Sequence, residues 1–100
     1  MMVIVSGVFE LEPSEREAFL AGRTDAMRRS RAEVGCLEYV FSADPLEPGR
    51  VVLFEKWESS EALAAHVAGM REWPRPEGQS VRPKSSSLLR YEVSGEQKLG

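Results

Sequence analysis

The sequence predicts an α+β domain in which the elements follow the order β-α-β-β-α-β. Four stretches show the two-residue alternation of side chains that is typical of strands. Two others carry apolar residues three or four positions apart, which is the spacing of a helix with one buried face. This order is the ferredoxin-like arrangement, a four-stranded antiparallel sheet with two helices on one face.

The first strand is predicted at Val3–Phe9, and both of its faces are largely apolar. Ser14 and Glu17 then fit a capping box, in which each side chain satisfies a free amide at the start of a helix. We expect one continuous helix from about Ser14 to Glu33. Gly22 lies on its inner face, where the lack of a side chain would let the helix approach the sheet closely.

The second and third strands are predicted at Cys36–Ser42 and Arg50–Trp57. Residues 44–49 between them are rich in turn formers, so the two strands should pair as an antiparallel hairpin. Alternation also predicts which side chains share one face of a strand. These are Leu37, Tyr39 and Phe41 in the second strand and Val51, Leu53 and Trp57 in the third.

The second helix is predicted from Ala62 to about Gly69, with Ser59 or Ser60 as its N-cap. Segment 73–84, which follows this helix, is rich in proline. Proline disfavours both a regular helix and a central strand, so we expect a long loop there.

The last strand is predicted at about Ser87–Val93. The first three strands carry large apolar residues on both faces, although the two helices can cover only one face of the sheet. An antiparallel sheet with one face in water should instead place polar residues on that face. We therefore predict a homodimer, in which a second copy covers the open face.

Composition narrows the classes of function. The 100 residues, 42% apolar and 29% charged, suit one globular domain, which we place at residues 1–95 with a polar tail at 96–100. One Cys excludes an internal disulfide, and one Cys with one His argues against a zinc site within one chain. A net charge of −3 argues against binding of nucleic acid through its phosphates. With no signal-peptide pattern and no apolar stretch of about 20 residues, we expect a cytoplasmic protein.

Two motifs are similar to those of the antibiotic biosynthesis monooxygenase (ABM) domain family. One is G-C-L-x-Y at residues 35–39, and the other is E-x-W-x-S-x-E-A-L-x-x-H, which runs from Glu55 to His66. The resemblance covers about residues 2–93 and implies a dimeric α/β barrel, in which two ferredoxin-like sheets pack face to face. Some members of the family oxidise polycyclic phenols or quinols with O₂ and no cofactor, and others bind and break haem.

Only some of the family's site residues have a match in this sequence. Trp57 matches a Trp of the family's phenol oxygenases, and His66 matches a frequent His of the second helix. The Asn and Tyr that the same oxygenases can carry are replaced here by Leu53 and Leu63. Haem-degrading relatives use an Asn near the end of the first strand, and this sequence contains no Asn at all. Haem degradation is therefore disfavoured.

Phenol oxidation by O₂ needs a base and an apolar pocket. The resemblance makes His66 and Trp57 the candidate catalytic residues, and histidine is the side chain that exchanges protons most readily near neutral pH. Candidate substrate-binding residues are Tyr39, Phe54, Arg71 and Trp73, with Trp73 at the start of the proline-rich loop as a possible part of a lid. The alternative is that His66 and the aromatic residues are core and that Arg71 forms an exposed ion pair.

The sequence leads to a small homodimeric oxidoreductase as the expected function. It would oxidise a quinol or polycyclic phenol with O₂, with no cofactor and no metal. A flavin is disfavoured because no glycine-rich phosphate loop follows a strand. The rival interpretation is a dimer of the same fold that binds a small molecule, or a partner, without catalysis.

Overall fold

A computed structural model describes residues 1–74 and 81–100. The strands are β1 (Val3–Glu10), β2 (Cys36–Ala43), β3 (Arg50–Trp57) and β4 (Ser85–Glu92), and the helices are α1 (Arg16–Ala21), α2 (Thr24–Arg31) and α3 (Ser60–Met70). The strands form an antiparallel sheet in the order β2-β3-β1-β4. The ferredoxin-like α+β fold is thereby confirmed. Within the described ranges no helix is both long enough and apolar enough to cross a bilayer.

The prediction of one helix from Ser14 to Glu33 is wrong, because the helix is broken at Gly22 and Arg23. The amide of Arg23 donates to the carbonyl of Leu20 at 3.0 Å, a bond over three residues that interrupts the α-helical ladder. Glycine has a low helix propensity, which makes this position a weak point in the chain. The helical layer over β2 therefore consists of two short segments, α1 and α2.

The predicted capping box is also wrong. Ser14 lies inside a short 3₁₀ turn, Pro13–Glu15, and the residue that precedes this turn, Glu12, makes no side-chain hydrogen bond to it. Pro13 at the first position has no N–H to satisfy and its φ angle already suits a helix, so the turn starts without a cap. At α3 the prediction is confirmed, since the hydroxyl of Ser59 accepts the amide of Ala62 at 3.1 Å.

A bulge in β2 changes the predicted faces of that strand. Cys36 pairs with Trp57 and Glu38 pairs with Lys56, so Leu37 is an extra residue in the ladder. Leu37 is 46% exposed, and Cys36 packs on the buried cluster instead of it. Alternation on β3 is confirmed: Val51, Leu53 and Trp57 are all buried.

The core lies between the helices and one face of the sheet. Its two buried clusters comprise Val3, Val5, Tyr39, Leu53, Trp57 and Leu63, and then Leu11, Phe19 and Val51. The opposite face is largely apolar. It carries Ser6, Lys56 and Ser87 among six apolar residues, which are Ile4, Val8, Val52, Phe54, Leu89 and Tyr91. Leu89 is 57% exposed and Tyr91 is 49% exposed. We call these six residues the open face.

The proline-rich loop predicted at 73–84 is described only at its two ends. Trp73, Pro74 and residues 81–83 have no regular secondary structure, and residues 75–80 lie outside the described part of the chain. The strand predicted to begin at about Ser87 begins two residues earlier, at Ser85.

Candidate functional site

A cavity of about 630 Å³ lies between the helix-covered face of the sheet and α3. Residues of α3 three or four positions apart point into it, among them Leu63, His66 and Met70. The sheet side of the cavity is lined by alternating residues of the strands, including Tyr39, Phe41, Leu53 and Glu55. The cavity is therefore mainly apolar and aromatic, with a few polar groups, as small-molecule sites commonly are.

His66 is the central polar group of this cavity. It is only 3% exposed, and its Nδ1 lies 2.6 Å from Oε1 of Glu33. Its ring centroid is 4.6 Å from that of Trp57 and 5.4 Å from that of Tyr39. The partner of His66 is thus a carboxylate, and not the backbone carbonyl expected if it were simply a core residue.

The bond to Glu33 assigns the protons of the imidazole. A carboxylate can only accept, so Nδ1 must carry the hydrogen. In the neutral ring the free lone pair then lies on Nε2, which has no hydrogen-bond partner among residues 1–74 and 81–100. The arrangement holds the ring in one orientation and leaves Nε2 able to accept a proton.

Glu55 is a second buried carboxyl group beside His66. It occupies a core-facing position of β3, is 6% exposed, and its Oε1 accepts the indole N–H of Trp57 at 2.9 Å. Burial raises the pKa of Glu55, while the Trp57 hydrogen bond and the charge of His66 act in the opposite direction. The carboxyl group of Glu55 is consequently easier to protonate than an exposed one.

Tyr39 faces Glu55 across the β2–β3 ladder. Burial, together with the negative charge of Glu55, raises the pKa of Tyr39 to about 12, although Ser30 and Arg23 oppose this shift. At neutral pH Tyr39 is therefore a neutral phenol, able to donate a hydrogen bond but unsuited to act as a base.

The structure brings most of the predicted site residues together around His66. Tyr39 and Arg71 line the cavity, with Arg71 exposed at its rim. Trp73 is half-buried and meets the His66 ring edge-on at 5.8 Å. Trp57 is fully buried beneath His66 and is absent from the cavity wall, which places it as a support and not as a substrate contact.

Phe54 is placed elsewhere. Leu53 and Glu55 on either side of it line the cavity, so the alternation of β3 turns Phe54 to the open face. Its predicted contact with a substrate in this cavity is therefore not made.

Sequence reasoning missed two residues of the site, Glu33 and Glu55. Glu55 could have been recognised, because it interrupts the apolar face that Val51, Leu53 and Trp57 form on β3. Glu33 gave no comparable signal. It lies in the turn after α2, and only the packing of this turn against α3 brings it to His66.

A second cavity of about 310 Å³ adjoins the first. The two share Phe9, Tyr39, Phe41 and Met70, and the second extends beneath the break between α1 and α2 to Arg23. Trp73 and Pro74 form its outer wall. In the described part of the chain no group of three or more His, Cys, Asp or Glu side chains is arranged to hold a metal ion.

Comparisons with known proteins agree with this architecture. The chain is 33% identical over 64 residues to the uncharacterized protein sll1783 of Synechocystis, a match covering 64% of this chain and 44% of that protein. It is 29% identical over 65 residues to the Bacillus subtilis protein named Putative monooxygenase YcnE, covering 65% of this chain and 68% of that one.

Solved structures show the same fold over nearly the whole chain. Rv0793 from Mycobacterium tuberculosis superposes with a TM-score of 0.72 at 23% identity, covering 98% of this chain and all of that one. The family model described as antibiotic biosynthesis monooxygenase matches residues 2–70, which include β1 to α3 and both carboxyl groups beside His66. The chain belongs to the antibiotic biosynthesis monooxygenase family.

Proposed function

We propose that this chain is a monooxygenase that oxidises a polycyclic phenol or quinol to a quinone with O₂, without a cofactor. One observation carries the proposal: His66 lies in an aromatic cavity with Nδ1 held by Glu33, and Nε2 has no partner among the described residues. Membership of the family and the name of the Bacillus subtilis relative support the reaction class.

The first step is removal of a proton from the substrate hydroxyl. Nε2 of His66 accepts it, and the carboxylate of Glu33 stabilises the imidazolium through the Nδ1 hydrogen bond. The phenolate that forms carries electron density onto the ring carbon para to its oxygen. That carbon is the electron donor to O₂.

The second step forms a carbon–oxygen bond and then breaks the oxygen–oxygen bond. The substrate, a phenol or a polycyclic quinol, must bear a hydrogen on the carbon para to the ionised oxygen, and this carbon bonds to O₂ and carries a peroxide. Loss of the hydrogen on that carbon makes the second carbonyl as the oxygen–oxygen bond breaks. The distal oxygen leaves as water, taking this proton and the proton returned by His66. One phenol and one O₂ thus give one quinone and one water.

The apolar wall contributes by excluding water. A phenolate and a peroxide next to Leu53, Leu63 and Phe41 are shielded from bulk proton donors. Neutral Tyr39 and the exposed guanidinium of Arg71 supply hydrogen-bond donors along the same wall. We assign them to substrate binding.

We further propose that the working unit is a homodimer. The open face is apolar, and Leu89 and Tyr91 on it are about half exposed. A second copy that packs its own open face against this one would remove both surfaces from water, at roughly 25 cal/mol for each Å² buried.

One observation favours a second candidate, a dimer that binds an aromatic molecule without oxidising it. Leu53 and Leu63 both line the cavity, at the positions where related oxygenases can carry Asn and Tyr. A cavity with fewer polar groups gives less stabilisation of developing charge.

Oxygen uptake distinguishes these candidates. Purified protein is mixed with anthrone or 1-naphthol in an oxygen electrode, and quinone formation is followed by absorbance. We expect His66→Ala to reduce the rate by about 100-fold or more, since a positioned base contributes roughly 10²–10⁴. Lys98→Ala, at an exposed position near the C-terminus, serves as a surface control. If the wild type takes up oxygen no faster than His66→Ala and binds the same compounds tightly, the result would instead support the dimer that binds without oxidising.

A further inference from the structure

Arg23 lies at the break between α1 and α2, and its side chain is held among aromatic rings. Its guanidinium carbon is 4.3 Å from the centroid of Phe19 and 6.0 Å from that of Phe41. Such stacking fixes the plane of the guanidinium and directs its N–H groups past the edge of the rings. Arg23 is half-buried and lines the second cavity.

The guanidinium of Arg23 has no counter-ion among the residues that the structure describes. Neighbouring arginines do have acceptors: Arg29 bonds Asp25 at 2.8 Å, and Arg31 bonds the carbonyl of Tyr39 at 2.8 Å. Asp25 also lines the second cavity, but its carboxylate is taken by Arg29. The cavity beside Arg23 therefore has an excess of positive charge.

Desolvation without a partner is unfavourable for a cation. Burial lowers the pKa of Arg23, because the charged guanidinium is less well solvated in the fold than in water. An anion in the cavity would supply the missing acceptors and reverse this penalty. Two parallel N–H groups of a guanidinium match a carboxylate better than a halide or a neutral oxygen.

The second cavity adjoins the first, and an aromatic ligand with two polar ends could occupy both. Phe9, Tyr39, Phe41 and Met70 belong to the walls of both, so His66 and Arg23 lie on either side of a shared set of apolar and aromatic residues. The ring of Trp73 is near both cavities, since it meets His66 edge-on and also lines the second cavity.

We propose that the second cavity is a subsite for the carboxylate of an aromatic substrate, with Arg23 as the residue that binds it. This inference rests on the proposed function in one respect, namely that the phenolic end of the same molecule lies at His66. It narrows the substrate class to aromatic hydroxy acids.

Binding without turnover tests the subsite. Under nitrogen, 6-hydroxy-2-naphthoate and 2-naphthol are titrated by calorimetry into wild-type protein and variants. We expect the naphthoate to bind at least about tenfold more tightly, as for a charge-assisted bidentate pair. Arg23→Gln should bring the two affinities to within about threefold, because the charge and the donors are lost. Arg28→Gln, which changes an exposed arginine on the neighbouring helix α2, should keep the full preference.

A second measurement applies if Arg23→Gln does not fold. The ¹⁵Nε resonance of Arg23, assigned with Arg23→Lys, should shift when 6-hydroxy-2-naphthoate is added to wild-type protein and should not shift with 2-naphthol. Equal binding of the two compounds by wild-type protein would overturn the proposal. So would a preference that survives in Arg23→Gln and disappears in Arg71→Gln, which would place the carboxylate at the rim of the first cavity.

The two proposals fail separately. If Arg23 governs carboxylate binding but neither anthrone nor 1-naphthol, which carry the required para hydrogen, is oxidised in air, the subsite stands and the monooxygenase assignment falls. If oxidation depends on His66 but the carboxylate preference does not depend on Arg23, the reaction stands and the subsite falls.

Discussion

Nδ1 of His66 donates to Oε1 of Glu33 at 2.6 Å, and this bond joins α3 to the turn that ends α2. The two residues are 33 positions apart in the sequence. The bond gives the only histidine of the chain a fixed tautomer and orientation. Glu33 is therefore a positioning residue for the proposed base.

Replacing Glu33 should disable the proposed base without removing it. We expect Glu33→Gln to lower kcat by about 100-fold with little change in KM, since a misplaced base can reduce the rate by about that factor. The double variant Glu33→Gln/His66→Ala should be no slower than His66→Ala alone, because the two residues act as a unit. Glu61→Gln, an exposed carboxylate on α3, is the matched control. Steady-state oxygen uptake provides the measurement, and an additive double variant would contradict the coupling.

Tyr39 should make the fold sensitive to alkaline pH. Its pKa is raised from 10.0 in the unfolded chain to about 12 in the fold, so the fold binds the phenolic proton more tightly. The contribution of the Tyr39 proton to the free energy of unfolding is fully present below pH 10 and is lost as the pH rises through 12. Near pH 11.5 the loss should be about 2 kcal/mol.

Urea unfolding at pH 8 and pH 11.5 measures this loss. Tyr39→Phe should remove it, because phenylalanine has no proton to release. Tyr91→Phe serves as the control, since Tyr91 is 49% exposed. If both variants respond to pH as the wild type does, the alkaline loss comes from other groups.

Gly35 should tolerate no side chain. Its φ angle is +85°, and a Cβ built on it would lie 2.5 Å from the Cβ of Ala62 on α3. We expect Gly35→Ala to lower the free energy of unfolding by about 1 to 3 kcal/mol, from backbone strain and the contact together. Gly35→Ala/Ala62→Gly should recover the part due to the contact. Gly95→Ala, with open space around it, should change stability by less than about 0.5 kcal/mol in the same urea titration.

The open face should control the oligomeric state. We expect light scattering of the wild type at low micromolar concentration to give the mass of two chains. Leu89→Lys should shift this to one chain, because it places a charge in the middle of the proposed interface. Leu46→Lys changes an 87% exposed leucine on the β2–β3 loop and should remain dimeric. A monomeric wild type would contradict the proposed dimer.

The sheet could be predicted from the sequence because strand alternation is a local property. Leu53 and Trp57 are buried where a two-residue period places them. The prediction failed at Leu37, where a single extra residue shifts the register of β2 without any strong local signal. It failed again at Gly22, since glycine inside an amphipathic stretch is compatible with either a continuous or a broken helix.

Sequence alone determined the class of fold, the two-sided apolar sheet and the choice of His66 as the candidate base. The first two follow from residue types and short-range spacing, which the chain carries before it folds, and the choice of His66 follows from the resemblance of its motif to the family. Only the tertiary structure decided that Glu33 holds His66, that Phe54 faces away from the cavity and that Arg23 lies among aromatic rings with no counter-ion in the described part of the chain. Each of these depends on contacts between elements distant in the chain, and such contacts are set by packing, register and the break in the first helix.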